Sequence, residues 1–136
     1  GAISDYRQSL KINPRDVKVY YNSGSAKRNL GDYNGAISDY AKVIEINPNN
    51  AVAYYNRGSI KSKELGDYQG AIDDYSKAIK IDPKYAVAYY NRGVIKELLG
   101  DKPGACNDYR VAAKVGDKSV AKWVQRERFS WCRNIR

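Results

Sequence analysis

Four segments of this 136-residue chain open alike: Gly1-Ala2-Ile3-Ser4-Asp5-Tyr6, Gly35-Ala36-Ile37-Ser38-Asp39-Tyr40, Gly70-Ala71-Ile72-Asp73-Asp74-Tyr75 and Gly104-Ala105-Cys106-Asn107-Asp108-Tyr109. Their glycines lie 34, 35 and 34 residues apart. Self-similarity at that period marks a stacked array, in which one supersecondary unit recurs and no unit can bury its apolar face alone. Further blocks recur in register. One is Tyr20-Tyr21-Asn22-Ser23-Gly24, Tyr54-Tyr55-Asn56-Arg57-Gly58 and Tyr89-Tyr90-Asn91-Arg92-Gly93. Leu30-Gly31-Asp32, Leu65-Gly66-Asp67 and Leu99-Gly100-Asp101 form another, and Asn13-Pro14, Asn47-Pro48 and Asp82-Pro83 a third.

These blocks punctuate helices. The stretch from Val17 to Leu30 holds no proline and ends at Gly31, a residue suited to the left-handed turn that closes a helix. Asp32 follows as a cap for the next helix. That helix must stop near Asn47, because the residue before a proline is pushed out of the α region. Each repeat therefore reads as helix A, a tight turn, helix B and a proline-marked turn. Helix B carries an apolar stripe at helical spacing, Ala36, Ile37, Tyr40, Val43 and Ile44, repeated as Ala71, Ile72, Tyr75, Ala78 and Ile79. Gly24, Gly58 and Gly93 fall in the middle of helix A, where glycine costs about 1 kcal/mol against alanine. Their recurrence predicts a bulky helix B partner, a tyrosine, pressed against the helix A backbone.

The 34-residue period, the small residue in helix A, the alanine early in helix B, the aromatic one turn later and the terminal proline resemble the tetratricopeptide repeat. The Tyr-Tyr-Asn-Arg-Gly and Leu-Gly-Asp-Tyr wording is similar to repeats common in photosynthetic bacteria. The resemblance implies an all-α fold, a right-handed α-α superhelical solenoid of helix-turn-helix repeats with a C-terminal capping helix. It divides a single domain into residues 1–16 (helix B of a truncated repeat), full repeats at 17–50, 51–85 and 86–119, and a capping helix and tail at 120–136. Val120, Trp123 and Val124 are expected to turn inward from that cap. The gap from Gly58 to Gly66 is eight residues where its counterparts are seven, so a π-bulge or a longer turn is expected there. The abrupt start inside a helix B and the lack of methionine read as a piece of a longer protein. The first helix, its apolar residues partly uncovered, is expected to dock on another copy or to fray.

A hydrophobic fraction of 43% argues for a packed core and against disorder. No run of eighteen apolar residues is present, so no transmembrane helix is expected. No catalytic constellation and no metal site is visible, and no cofactor is expected. The chain has no histidine, the commonest general base and metal ligand. Adjacent Asp73 and Asp74 do not face each other on a helix, and the glycines match no phosphate loop or dinucleotide fingerprint. The two cysteines suggest neither a disulfide framework nor zinc spacing, and a cytoplasmic or other reducing compartment is favoured on that ground. Cys106 occupies the slot of Ile3, Ile37 and Ile72, as a core filler.

In the family that the repeats resemble, helix A lines the concave, ligand-binding side. The matching slots are Lys18, Tyr21, Asn22, Ser25 and Arg28, then Tyr55, Asn56, Ser59 and Lys63, then Tyr90, Asn91 and Val94, with Gln125 and Arg128 in the cap. Asn22, Asn56, Asn91 and Gln125 would form an amide ladder, each amide offering donor and acceptor to a peptide backbone. The alternative for the asparagines is bonding between helices. Family members that clamp the C-terminal carboxylate of heat-shock chaperones place Lys or Arg where this chain has Tyr21, Ser25, Tyr90 and Val94, which argues against that ligand. Arg57 and Arg92, in a slot apolar in the family, predict partly buried pairs with the recurring helix B aspartates.

The net charge is +9, and from Arg110 to Arg136 eight basic residues face only Asp117 and Glu127. The leading expectation is a non-enzymatic scaffold that binds an extended acidic or polar peptide of another protein in the groove, in complex assembly. The alternative is RNA binding through the basic C-terminal region. It is disfavoured because the charge does not form a stripe along the groove.

Overall fold

A computed structural model of the chain describes residues 1–132; of 127–131 only the backbone is described. Among the described residues there are eight helices and no strand: α1 (Ala2–Ile12), α2 (Val17–Asn29), α3 (Tyr33–Ile46), α4 (Ala51–Lys63), α5 (Tyr68–Ile81), α6 (Ala86–Leu98), α7 (Lys102–Val115) and α8 (Lys118–Cys132). This is an all-α helical-repeat fold. The chain forms two compact units, residues 1–71 and 72–136, and the division falls inside α5.

In the first unit the starts of α2, α3 and α4 each have a side-chain acceptor for their orphan amides, whereas α1 starts at Gly1 without one. Asp16 accepts from the Lys18 and Val19 amides, Asp32 from Gly35 at 3.0 Å, and Asn50 from Ala53 at 3.0 Å. Helix α2 closes through Gly31, whose φ of 83° is open to glycine at no steric cost. The Asp32 amide then reaches back to the Lys27 carbonyl at 2.8 Å. The core beside this turn is Ala36, Tyr40 and Ile60, with Tyr21, Tyr33 and Ile37 packed against it. A Cβ at Gly24 would stand 3.1 Å from the Tyr40 ring, so the glycine is there to admit a helix B tyrosine. In α1 no residue is buried: Ala2 is exposed and Tyr6 half-buried, whereas Ala36 and Tyr40 in the same repeat slots are 0% and 2% exposed.

The additional residue before Gly66 lies in the turn that follows α4. The Leu65 amide bonds the Ile60 carbonyl, five residues back, at 3.1 Å, and the Asp67 amide bonds Lys61, six back, at 2.7 Å. The corresponding bond in α2 spans five residues, from Asp32 to Lys27. Of the two expectations the longer turn is observed.

The second unit has a core of Tyr90, Ala105, Cys106, Tyr109, Ala112, Val124 and Cys132. Asp101 caps α7 through the Gly104 amide at 3.0 Å, and Asp117 caps α8 through the Val120 amide at 2.9 Å. A Cβ at Gly93 would lie 2.8 Å from the Tyr109 ring, again under a helix B tyrosine. Asp108 is fully buried. Arg92 donates to it from Nε at 2.9 Å and Nη2 at 2.7 Å, and Lys96 Nζ lies 3.1 Å away. The predicted arginine–aspartate pair thus exists in this repeat. In the first full repeat Ser23 stands in the arginine slot, and Asp39 is held by the Ser23 hydroxyl at 2.6 Å and by Lys27 at 3.0 Å.

Two expectations for the end of the chain need correction. Cys106 and Cys132 form a disulfide, with Cα atoms 5.5 Å apart. A separation of 26 residues says nothing of pairing until α7 and α8 fold back as an antiparallel hairpin, which brings the start of one helix to the end of the other. The reducing-compartment expectation rested on unpaired cysteines, and disulfides are rare in such compartments, so that ground is lost. Trp123, expected to turn inward, is 41% exposed, while Val124 is buried and Val120 half-buried. Val124 lies in the core shared with α7, and Trp123, one residue earlier and so turned about 100° around the helix, stands at the margin against Tyr90.

Candidate peptide-binding groove

In the first unit the helix A residues of two successive repeats meet. The Asn56 amide on α4 donates from Nδ2 to the Tyr21 hydroxyl on α2 at 2.8 Å. Arg28 on α2 donates from Nη2 to the Ser59 hydroxyl at 3.2 Å and to Glu64 Oε1 at 3.3 Å. Ser25 and the Tyr40 hydroxyl share a hydrogen bond at 2.9 Å, and the Tyr21 and Tyr40 rings pack edge to face at 5.7 Å. Burial pushes the Tyr40 phenol above its ordinary pKa, against a smaller opposing effect of the Ser25 bond, so Tyr40 stays a neutral hydroxyl at physiological pH. Lys18, Asn22 and Lys63 are exposed, Tyr55 is half-buried and Ser59 is buried.

This arrangement revises the roles of individual residues. Asn56 is half-buried and engaged between helices, as in the alternative weighed for the ladder, rather than free. The bond uses one amide hydrogen and one lone pair of the phenol. Among the described residues it leaves the Asn56 carbonyl oxygen and the Tyr21 hydroxyl hydrogen without a partner. Arg28 has its charge answered by Glu64, so Lys18 and Lys63 are the exposed cations of this face. Glu64 and Tyr40 were not anticipated. The extra turn residue places Glu64 beside Arg28, and Tyr40 was read only as core.

In the second unit Tyr90 is buried, with its ring 5.4 Å from Tyr109 and 4.2 Å from Trp123. Val94, half-buried, packs against the same cluster, so Tyr90 belongs to the core and Val94 to its margin. Asn91 is half-buried and Gln125 exposed, while the Arg128 side chain lies outside the described residues. The Tyr109 hydroxyl donates to Glu97 at 2.9 Å. Among the described residues no cluster of metal-ligating side chains is present, and no helix is long and apolar enough to cross a membrane.

The family model of the TPR repeat matches residues 24–64 and again 61–100. Among solved structures, the crystal structure of MamA is 30% identical, at a TM-score of 0.78 over 85% of this chain and 67% of that one. The TPR domain of Arabidopsis OM64 is 32% identical, at a TM-score of 0.71 over 81% of this chain and 91% of that one. The first TPR of Spaghetti (RPAP3), solved with the HSP90 peptide SRMEEVD, is 23% identical at a TM-score of 0.72 and covers 85% of this chain and 93% of its own, a likeness of fold. This chain spans about two thirds of the MamA chain. No curated protein matches it in sequence. The repeat register, the tyrosine-on-glycine packing and these matches agree, and the chain belongs to the tetratricopeptide-repeat family of protein-binding helical scaffolds.

Proposed function

We propose that this chain is a non-catalytic scaffold that grips an extended, polar or acidic peptide segment of another protein, with the face of α2 and α4 as its grip. The observation that carries the reading is the Tyr21–Asn56 pair. It offers a hydroxyl donor and a carbonyl acceptor side by side, the two partners that one peptide unit requires. The bond between them fixes both side chains in advance, so less rotamer freedom is lost on binding. Lys18 and Lys63, exposed on the same two helices, supply the preference for acidic ligands. The RPAP3 neighbour holds a peptide on a similar fold, which supports the class of ligand. The lack of Lys or Arg at Tyr21, Ser25, Tyr90 and Val94 separates this chain from carboxylate-clamp grooves.

The test begins with peptides selected from a randomised display library on the oxidised wild-type chain. The best of them is titrated against wild type and Asn56→Ala. Loss of the Tyr21 bond is expected to cost about 1 kcal/mol of stability. Affinity is expected to fall about fivefold or more, as the peptide's own group is left unpaired. A lowered melting temperature with unchanged affinity would make Asn56 a bond between helices and nothing else. A chain that selects no peptide but retains single-stranded RNA on a filter, with a steep salt dependence, would favour the nucleic-acid alternative.

A further inference from the structure

The hairpin of α7 and α8 is closed at both ends. At one end the chain turns in two residues, Gly116 and Asp117; at the other the disulfide joins Cys106 near the start of α7 to Cys132 at the end of α8. Both sulfur-bearing residues are buried, at 0% and 1% exposure. No other repeat has a cysteine in the Cys106 slot, which holds isoleucine in each of the three others. The cross-link is therefore a local addition to a repeat that packs elsewhere without one. Helix α8 also reaches Tyr90, whose ring packs on Tyr109 of α7 as well. Trp123 covers that ring at 4.2 Å, and Val124 is the one fully buried valine of the helix. Besides these contacts, the Arg110 guanidinium donates to the Cys132 carbonyl at 3.0 Å.

We propose that the Cys106–Cys132 disulfide is a reducible latch: it holds α8 over Tyr90, and its reduction releases α8 while α6 and α7 stay folded. In a local opening of the end of α8, which exposes the buried bond, a thiolate of a dithiol reductant attacks one of the two sulfurs. The S–S bond breaks, and the departing cysteine thiolate takes a proton. The second thiol of the reductant then resolves the mixed disulfide. Two electrons enter the protein, both cysteines become thiols, and the reductant leaves as a disulfide. Release uncovers Tyr90 and the apolar floor around Val94. The folded remainder rests on the Arg92–Asp108–Lys96 pairing and the Gly93–Tyr109 packing, none of which involves α8. Lys118, Lys122 and Arg126 follow one exposed stripe of α8 and report its release as tryptic sites. The latch is independent of what the groove binds, and so is its test.

The full chain is compared oxidised, after dithiothreitol, and as Cys132→Ser, by limited trypsin digestion with mass-spectrometric assignment of the first cuts and by far-ultraviolet circular dichroism. Reduction and Cys132→Ser are each expected to speed cleavage after Lys118, Lys122 or Arg126 at least tenfold. Cuts inside α6 and α7 should stay at the oxidised rate, and most of the helical signal should remain. Re-oxidation should restore protection in the wild type alone. Equal cleavage rates in both redox states would overturn the latch, as would loss of the whole helical signal on reduction, which would make the bond a staple of the entire unit. Two titratable thiols in the denatured, unreduced chain would remove its premise.

Discussion

Replacing Gly93 by alanine sets two known effects against each other. Alanine in a helix interior is worth about 1 kcal/mol over glycine. The new methyl, however, would lie 2.8 Å from the Tyr109 ring and 3.2 Å from the Ala105 carbonyl oxygen. The ring has nowhere to retreat: Tyr109 is fully buried and its hydroxyl is tied to Glu97 at 2.9 Å. Crowding a packed interior by one methyl costs about 1–3 kcal/mol. With ring and backbone both in the way the upper half of that range applies, and Gly93→Ala is expected to destabilise by about 1–2 kcal/mol net. The control is Gly24→Ala, where the nearest atom is the Tyr40 ring at 3.1 Å and no backbone atom is among the three nearest. There the two effects should cancel to within about 0.5 kcal/mol. Urea unfolding of both variants, at unchanged m-value, reads the difference directly. A Gly93→Ala chain more stable than wild type, or equal shifts at the two sites, would refute the reasoning that these glycines exist to admit a tyrosine.

Asp108→Ala strands Arg92 and Lys96 beside a buried hole and is expected to cost about 3 kcal/mol in chemical denaturation, the low end for a broken buried pair because both cations keep some contact with water. Asp117 has its pKa lowered first by the Val120 amide and then by the Ser119 hydroxyl, so its capping contribution is complete above the ordinary carboxylate range and is lost as pH falls through the depressed value. Circular dichroism of the oxidised chain between about pH 5 and pH 2 should show helix loss that is smaller in Asp117→Asn, which has no carboxylate to protonate; identical acid profiles would exclude that role.

Much of this architecture was legible because the signals are local and recur. Each proline-marked turn, each glycine stop and each capping aspartate acts within a few residues of itself, so boundaries such as the end of α3 at Ile46, before Asn47-Pro48, follow from the chain alone. The glycine–tyrosine packing was legible for a different reason: a costly residue repeated in one slot demands a partner in another. What escaped depends on how elements fold back on one another. The disulfide requires the antiparallel return of α8 onto α7, and the Arg28–Glu64 pair requires the extra turn residue after α4. The asparagine slot was recognised as polar and repeated, and bonding between helices was weighed for it; the 35-residue separation from Tyr21 is close to the repeat period, but the choice of that phenol as partner depends on side-chain rotamers, which the period does not specify.

The aspartate that recurs in helix B has different donors at Asp39 and at Asp108. A serine hydroxyl and a lysine hold Asp39; an arginine fork and a lysine hold Asp108. Arrays of near-identical modules face a hazard that other folds do not, since a helix B that pairs with the wrong helix A still buries its apolar stripe. Here the aspartate is constant and its donors vary. Each helix A offers a lysine in the same slot, Lys27 or Lys96, so an exchanged pair would keep an ion pair; what it would change is the second donor, a serine hydroxyl against an arginine fork. An arginine holds the carboxylate at both oxygens and a hydroxyl at one, so two modules with almost interchangeable apolar faces grip their helix B with unequal strength.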